Sequence, residues 1–211
     1  MILPRLYAIA DSAMFDGTDA LCFFAQEIVA AGVTLIQYRN KSGSARQMLE
    51  QAIALRQNLP SHVQLIMNDR ADLCLAAGFN GVHVGQDDLS PEGARLVIGK
   101  ERWLGVSTHN PEQVSEADAT DADYIAIGPV FSTASKVNPD PVVGIEGVKR
   151  ARELTRKPLV AIGGITLENC RSVSEAGADS VAVISALRAS SRQSPGESAR
   201  QSVEDFFRIL R

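Results

Sequence analysis

Short blocks of apolar and β-branched residues recur along the chain, separated by longer segments whose apolar positions return at helical spacing. Eight blocks stand out: Leu6 to Ala10 (LYAIA), Leu35 to Tyr38 (LIQY), Gln64 to Met67 (QLIM), Gly81 to Val84 (GVHV), Trp103 to Val106 (WLGV), Tyr124 to Ile127 (YIAI), Leu159 to Ile162 (LVAI) and Val181 to Ile184 (VAVI). The intervening segments include helices over Asp19 to Ala31, stopped by Gly32, and over Ser44 to Asn58, stopped before Pro60. Ala-Gly pairs at Ala31-Gly32, Ala77-Gly78 and Ala176-Gly177 fit helix ends that turn back into a sheet. Alternating β and α units predict a parallel sheet. Eight of them, with no insertion large enough for a second domain, predict an α/β (β/α)8 TIM barrel as a single domain over residues 1–211. An open dinucleotide-binding sheet would carry G-x-G-x-x-G in its first turn, whereas the turn after Ala10 reads DSAMFDG.

Two segments break the pattern. Gly128 to Val143 (GPVFSTASKVNPDPVV) is long for a βα loop and dense in Pro, Ser and Thr, which suits an active-site lid or a plain excursion. Ala189 to Ala199 (ASSRQSPGESA) reads as an exposed connector before a last amphipathic helix with Val203, Phe206, Phe207 and Leu210.

Composition narrows the partners. The chain has 211 residues, 45% of them hydrophobic, with no apolar run of the ~18 needed to span a bilayer. MILPRLYAIAD is interrupted by Pro4 and Arg5 and closed by Asp11, so neither a membrane anchor nor export is expected. Cys22, Cys74 and Cys170 are far apart and form no C-x-x-C pair, which favours reduced thiols in a cytoplasmic protein. A net charge of -4, no long basic block and 5% aromatics argue against nucleic acid. Any anionic ligand must therefore be met by locally gathered cations.

In a barrel the chemistry follows the strands. After strand two, Gln37, Arg39 and Lys41 alternate, so they share one side of an extended backbone. Arg offers a planar fork and Lys a mobile point charge, two ways of holding a diphosphate; ordinary surface charges are the bland alternative. Asp69 and Asp88 follow strands three and four, with oxygen ligands that suit Mg2+, or else they serve as helix caps. Asp87 is read as the cap of the pair Asp87-Asp88. Gly163-Gly164-Ile165-Thr166 and Ile184-Ser185-Ala186 fit a phosphate site after strands seven and eight, where Gly lets backbone approach a ligand closely. Ser132 to Lys136 adds hydroxyls, backbone donors and one ammonium. His83 reads as a packed polar residue, His62 as a turn residue, and His109 as a minor candidate near the site.

Taken together, QYRNK, MNDR, VHVGQDD, LGVSTH, GPVFSTASK, AIGGI and VISA follow strands two to eight in register, and over nearly the whole chain the sequence resembles thiamine phosphate synthases. The resemblance implies a Mg2+-dependent transferase that joins 4-amino-2-methyl-5-hydroxymethylpyrimidine diphosphate to thiazole ethyl phosphate and releases diphosphate. It assigns the pyrimidine diphosphate to Gln37, Tyr38, Arg39, Asn40, Lys41, Asn68, Ser107 and Lys136, with Arg39, Lys41, Ser107 and Lys136 as the catalytic set. It assigns Mg2+ to Asp69 and Asp88, and the thiazole phosphate to Thr133, Ala134, Ser135, Gly164, Ile184 and Ser185. Ser135 stands where Thr is common, and Asn40 where an acid is common. The partners implied are small phosphorylated molecules, and a homo-oligomer is left open. A related thiazole tautomerase, which needs neither diphosphate nor metal residues, and a non-catalytic phosphate-binding barrel are the competing readings. A sugar-phosphate epimerase would call for histidines that the chain lacks.

Overall fold

The computed structural model describes residues 2–133, 140–188 and 195–211. Eight parallel strands form a closed barrel in sequence order: β1 (Leu6–Asp11), β2 (Leu35–Arg39), β3 (Gln64–Asn68), β4 (Gly81–Val84), β5 (Trp103–Thr108), β6 (Tyr124–Ile127), β7 (Leu159–Ile162) and β8 (Ser180–Val183). Closure is made by β1 on β8, with Leu6 opposite Val181. Helices α1 (Gly17–Ala30), α2 (Ala45–Asn58), α3 (Ala71–Ala76), α4 (Pro91–Ile98), α5 (Pro111–Asp118), α6 (Gly144–Leu154), α7 (Cys170–Glu175) and α8 (Pro195–Ile209) alternate with the strands. The predicted TIM barrel is therefore the observed architecture. Several strands run further than their apolar blocks: β1 takes in Asp11, β2 Arg39, β3 Asn68, and β5 Ser107 and Thr108. Polar residues at these ends still hydrogen-bond through the ladder, which apolar patterning alone does not register.

The period of two along each strand separates two cores. Outward residues such as Ile36, Leu65, Val82 and Leu104 meet the helices in one large cluster. Inward residues, including Tyr7, Ile9, Leu35, Ile66, Tyr124, Ala126, Val160 and Ala182, fill the barrel. The interior is thus packed with side chains and is no pore. Local signals fix the helix starts: Ser44 accepts from Gln47 N–H at 3.2 Å, Ser90 from Gly93 N–H at 3.1 Å, and Asn110 from Gln113 N–H at 2.9 Å. At their ends, Gly32, Gly78 and Gly177 of the Ala-Gly pairs all have positive φ (106°, 66° and 110°), as a chain turning back from a helix requires.

The reading of Ala189 to Ala199 as an exposed connector is corrected at its end, because α8 already begins at Pro195 and buries Ser198 and Ala199. Proline suits a first helical turn, and the polar composition hid the periodicity behind it. Among the described residues, no helix is long and apolar enough to cross a membrane.

Candidate active site

The C-terminal ends of the strands surround a cleft of about 430 Å3. Its floor is apolar, lined by Ile9, Val160, Ile162, Ala182 and Ile184, and its rim is polar. This is the end at which barrel enzymes place their chemistry.

On one side of the rim, strand alternation turns Gln37 and Arg39 inward, and Lys41 follows them to the cleft. Arg39 stands opposite Asp11 in the β1–β2 register, and its Nη1 donates to Asp11 Oδ2. Asp11 is buried, and its other oxygen accepts from Ala13 N–H at 3.1 Å. Lys41 Nζ donates to Asp69 Oδ2 at 2.5 Å. Asp69 has φ 63°, a left-handed conformation that costs a non-glycine residue about 1–2 kcal/mol, while its N–H donates to the His83 carbonyl at 2.8 Å. Such strain persists where the surroundings hold a side chain in place for use.

Neither carboxylate is a helix cap. The cap position of α3 is Arg70, without a side-chain bond, and α4 is capped by Ser90. The reading of Asp87 as a cap is likewise corrected: Ser90, immediately before Pro91, takes that role, and Asp87 lines the cleft. Asp88 Oδ2 accepts from Gly85 N–H at 2.8 Å, tying the loop after β4. Burial, followed by the adjacent Asp88, pushes the Asp69 carboxyl above its usual range, against the opposing pull of Lys41. Two adjoining carboxylates of this kind, with hard oxygen donors, fit a divalent cation such as Mg2+. The charge balance agrees: among the described residues the cleft is lined by Asp69, Asp87, Asp88 and Asp140 against Arg39 and Lys41. A polyanion entering it needs further positive charge.

Asn68 lines the same side, and its buried Nδ2 has no hydrogen-bond partner. A buried donor without an acceptor is costly unless a ligand supplies one. Ser107 lies further round, its Oγ 2.8 Å from His83 Nε2 and its carbonyl accepting from Gln86 Nε2 at 2.6 Å. His83 is packed as anticipated. Burial pushes its pKa down to about 4, so the imidazole is neutral near pH 7. His109 is held between the Gly128 carbonyl, 2.5 Å from Nδ1, and Asp140, 3.4 Å from Nε2, linking β5 to the loop after β6.

Across the barrel, Thr133, Gly163, Gly164, Ile165, Thr166, Ile184 and Ser185 line the cleft. A short 3-10 turn starts at Ser185, at the edge of the cleft. The glycine pair has a reason beyond ligand access. Gly163 and Gly164 have φ 100° and 63°, and a Cβ on them would come within 2.6 Å of Pro129 Cα and 2.5 Å of the Ser132 carbonyl. They let the loop after β6 lie directly on the loop after β7.

Two assigned side chains do not reach the cleft. Tyr38 points outward between β2 and α2, where its hydroxyl donates to Gln51 Oε1 at 2.6 Å. It lies between the inward Gln37 and Arg39, so alternation itself sends it the other way. Asn40 Oδ1 accepts from Ser42 and Gly43 N–H, stapling the loop that carries Lys41. Ala134, Ser135 and Lys136 lie outside the described residues. Sequence reasoning missed Asp11, although its place as the last inward residue of the Tyr7, Ile9, Asp11 series was a usable signal.

The chain is similar to known proteins along nearly its whole length. A family model described as thiamine monophosphate synthase matches residues 6–187. The thiamine-phosphate synthase of Koribacter versatilis is 62% identical over 198 residues, covering 92% of this chain and 94% of that one. That of Chloroflexus aurantiacus is 42% identical over 184 residues, covering 87% and 84%. The solved structure of a thiamine phosphate pyrophosphorylase from Pyrococcus furiosus superposes with a TM-score of 0.83 at 33% identity, covering 98% of this chain and 95% of the other. With the family match running through all eight strands, the chain belongs to the thiamine monophosphate synthase family.

Proposed function

We propose that the chain is a thiamine phosphate synthase, transferring the 4-amino-2-methylpyrimidin-5-ylmethyl group from its diphosphate to thiazole ethyl phosphate. The observation that carries this reading is the pairing of Asp69 with Asp88 on a rim shared with Arg39 and Lys41, facing Gly164, Ile184 and Ser185 of the loops after β7 and β8 across one cleft. The first group suits a diphosphate with its cation, and the second a monophosphate. A tautomerase has no use for the first group.

Arg39 and Lys41 bind the diphosphate and neutralise charge as it leaves, and Asn68 Nδ2 donates to a substrate acceptor. Asp69 and Asp88 would hold Mg2+, which supplies further neutralisation of the leaving diphosphate when bound. The resemblance adds Ser107 and Lys136 to this set, and places Thr133, Ala134, Ser135, Gly164, Ile184 and Ser185 around the thiazole phosphate. The benzylic-type C–O bond breaks with its electron pair going to diphosphate, and the electron-rich aminopyrimidine stabilises the cation that remains. The thiazole nitrogen then forms the C–N bond with its own lone pair. No proton has to be removed, in keeping with a cleft whose histidines are committed to hydroxyl, carbonyl and Asp140 partners. The apolar residues of the floor, Ile9, Val160, Ile162 and Ala182, offer the cation no competing nucleophile. Cys22, Cys74 and Cys170 are all buried and free, which supports a cytoplasmic enzyme with reduced thiols.

The test is incubation of the purified protein with both phosphorylated substrates, with Mg2+ or with chelator, and chromatography for thiamine phosphate. Product with Mg2+ and its loss with chelator are expected. Absence of product with Mg2+ overturns the reading.

A further inference from the structure

Beneath the cleft, five polar side chains from five strands form one continuous hydrogen-bonded chain. Gln37 Nε2 donates to the Tyr7 hydroxyl at 2.9 Å, and Tyr7 and Tyr124 hydroxyls are 3.0 Å apart. The Tyr124 hydroxyl is 3.0 Å from His83 Nδ1, and His83 Nε2 is 2.8 Å from Ser107 Oγ. Tyr7, His83, Tyr124 and Gln37 are buried; Tyr7 and His83 lie at the base of the cleft between its lining residues Gln37 and Ser107, and Tyr124 links them from behind.

The barrel is built around this chain. A Cβ on Gly105 would stand 2.1 Å from Tyr124 Cζ and 2.4 Å from His83 Nδ1, so β5 makes room with a glycine. The His83 and Tyr124 rings stack at 5.5 Å, and the Tyr7 and Tyr124 rings meet edge to face at 6.1 Å. Purely apolar residues would fill the space as well, and the polar ones need each other.

Proton counting gives the chain a direction. Each hydroxyl has one proton, and a buried proton without an acceptor is penalised. With Gln37 donating to Tyr7, the Tyr7 proton goes to Tyr124 and the Tyr124 proton to His83 Nδ1. Neutral His83 then carries its proton on Nε2 and donates it to Ser107 Oγ. The Ser107 proton is left for the cleft, as is the Gln37 carbonyl oxygen. The opposite polarity requires all five groups to reverse together.

We infer that Tyr7, Tyr124 and His83 are positioning residues that fix Ser107 as a hydrogen-bond donor and the Gln37 carbonyl as an acceptor toward the bound ligand. Resting on the proposed function, this gives the site a basis for choosing an aminopyrimidine, with an amino donor and ring-nitrogen acceptors, over its 4-oxo analogue, in which donor and acceptor are exchanged. The distinction is made by groups that do not themselves have to touch the ring.

The direct test is nitrogen-15 NMR of the imidazole in labelled protein at pH 7 without substrate. His83 should be the Nε2–H tautomer. Tyr7→Phe keeps Tyr124, His83 and Ser107 bonded but removes the link that sets their direction, so the tautomers should become mixed. In turnover, the same variant should lose about tenfold in kcat, the scale of one hydrogen bond, and should discriminate less against the 4-oxo analogue. His83→Gln, whose amide still offers a donor to Ser107, should retain more activity than His83→Leu. A wild-type Nδ1–H tautomer, or a Tyr7→Phe protein that keeps pure Nε2–H, overturns the inference. Both readouts are made without substrate, so a failure to form thiamine phosphate would overturn the proposed function and leave this result standing.

Discussion

Asp11 and Arg39 stand opposite each other at the ends of β1 and β2, and the carboxylate of one holds the guanidinium of the other against the rim of the cleft. Side-chain exposures of 7% and 19% make this no ordinary surface pair. Fixing one Nη leaves the other donors of the fork oriented toward the cleft. Asp11→Ala should therefore lower kcat/KM for the pyrimidine diphosphate by about tenfold to a hundredfold, the loss typical of a misplaced positioning contact. Asp11→Glu should recover part of it. Steady-state kinetics with the diphosphate varied checks this, and unchanged kinetics would make Asp11 a purely structural residue.

Arg39 also shows how far the sequence could be read. Its inward direction followed from alternation with Gln37, and the eight apolar blocks carried the barrel, because strand and helix periods leave distinct traces in patterning. Partners are different. Asp11 lies 28 residues from Arg39, and only the β1–β2 register brings them together. Tyr38 and Asn40 belonged to a legible motif, yet one side chain packs outward and the other closes a loop. A motif marks a segment, while the direction of each side chain is set by backbone geometry. The same holds for Asp87, since the helix start that would have settled its role depends on Ser90 and Pro91.

Asp69 gives up local stability for its position. Its φ of 63° suits glycine or asparagine better than aspartate, and it faces Asp88. Asp69→Asn should keep the turn and the melting temperature within a few degrees, yet lower turnover by at least ~100-fold by removing half of the proposed cation site. Asp69→Gly should raise stability by about 1 kcal/mol, with the same loss of activity. Electron paramagnetic resonance of Mn2+ provides a direct readout: binding by the wild type and weaker binding by both variants are expected. Equal Mn2+ binding would remove Asp69 from the metal site.

The pH dependence of folding should carry the signature of His83. Its pKa is about 4 in the folded protein against about 6.5 for an unfolded chain, because burial disfavours the imidazolium. Between these values the unfolded state binds a proton that the folded state refuses, so stability falls with falling pH. The contribution is whole above pH ~6.5 and is lost progressively down to pH ~4, amounting to about 3 kcal/mol. Denaturant titrations at several pH values should show His83→Gln losing less stability than wild type over this window. Parallel curves for the two proteins would show that His83 takes up its proton as readily in the folded state as in the unfolded one.

Gly163 tests whether the two anion-facing rims are mechanically joined. Val130 N–H donates to the Ile162 carbonyl and Phe131 N–H to the Gly163 carbonyl, both at 2.9 Å, so the loop after β6 extends the sheet onto the loop after β7. The contact is close because Gly163 has no side chain: at φ 100°, a Cβ would meet Pro129 Cα at 2.6 Å. Gly163→Ala must pay for both the backbone conformation and the displaced loop, together about 2–4 kcal/mol. Its effect on function should be uneven. The displaced segment leads from Pro129 to Thr133 on the proposed thiazole-phosphate side, so KM for that substrate should rise more than KM for the pyrimidine diphosphate, whose proposed partners Arg39 and Lys41 come from β2 and its loop. Kinetics with each substrate varied in turn, set beside a denaturation curve, separate the two effects. Equal changes in both KM values would mean that the loop after β6 serves the whole cleft and not one side of it.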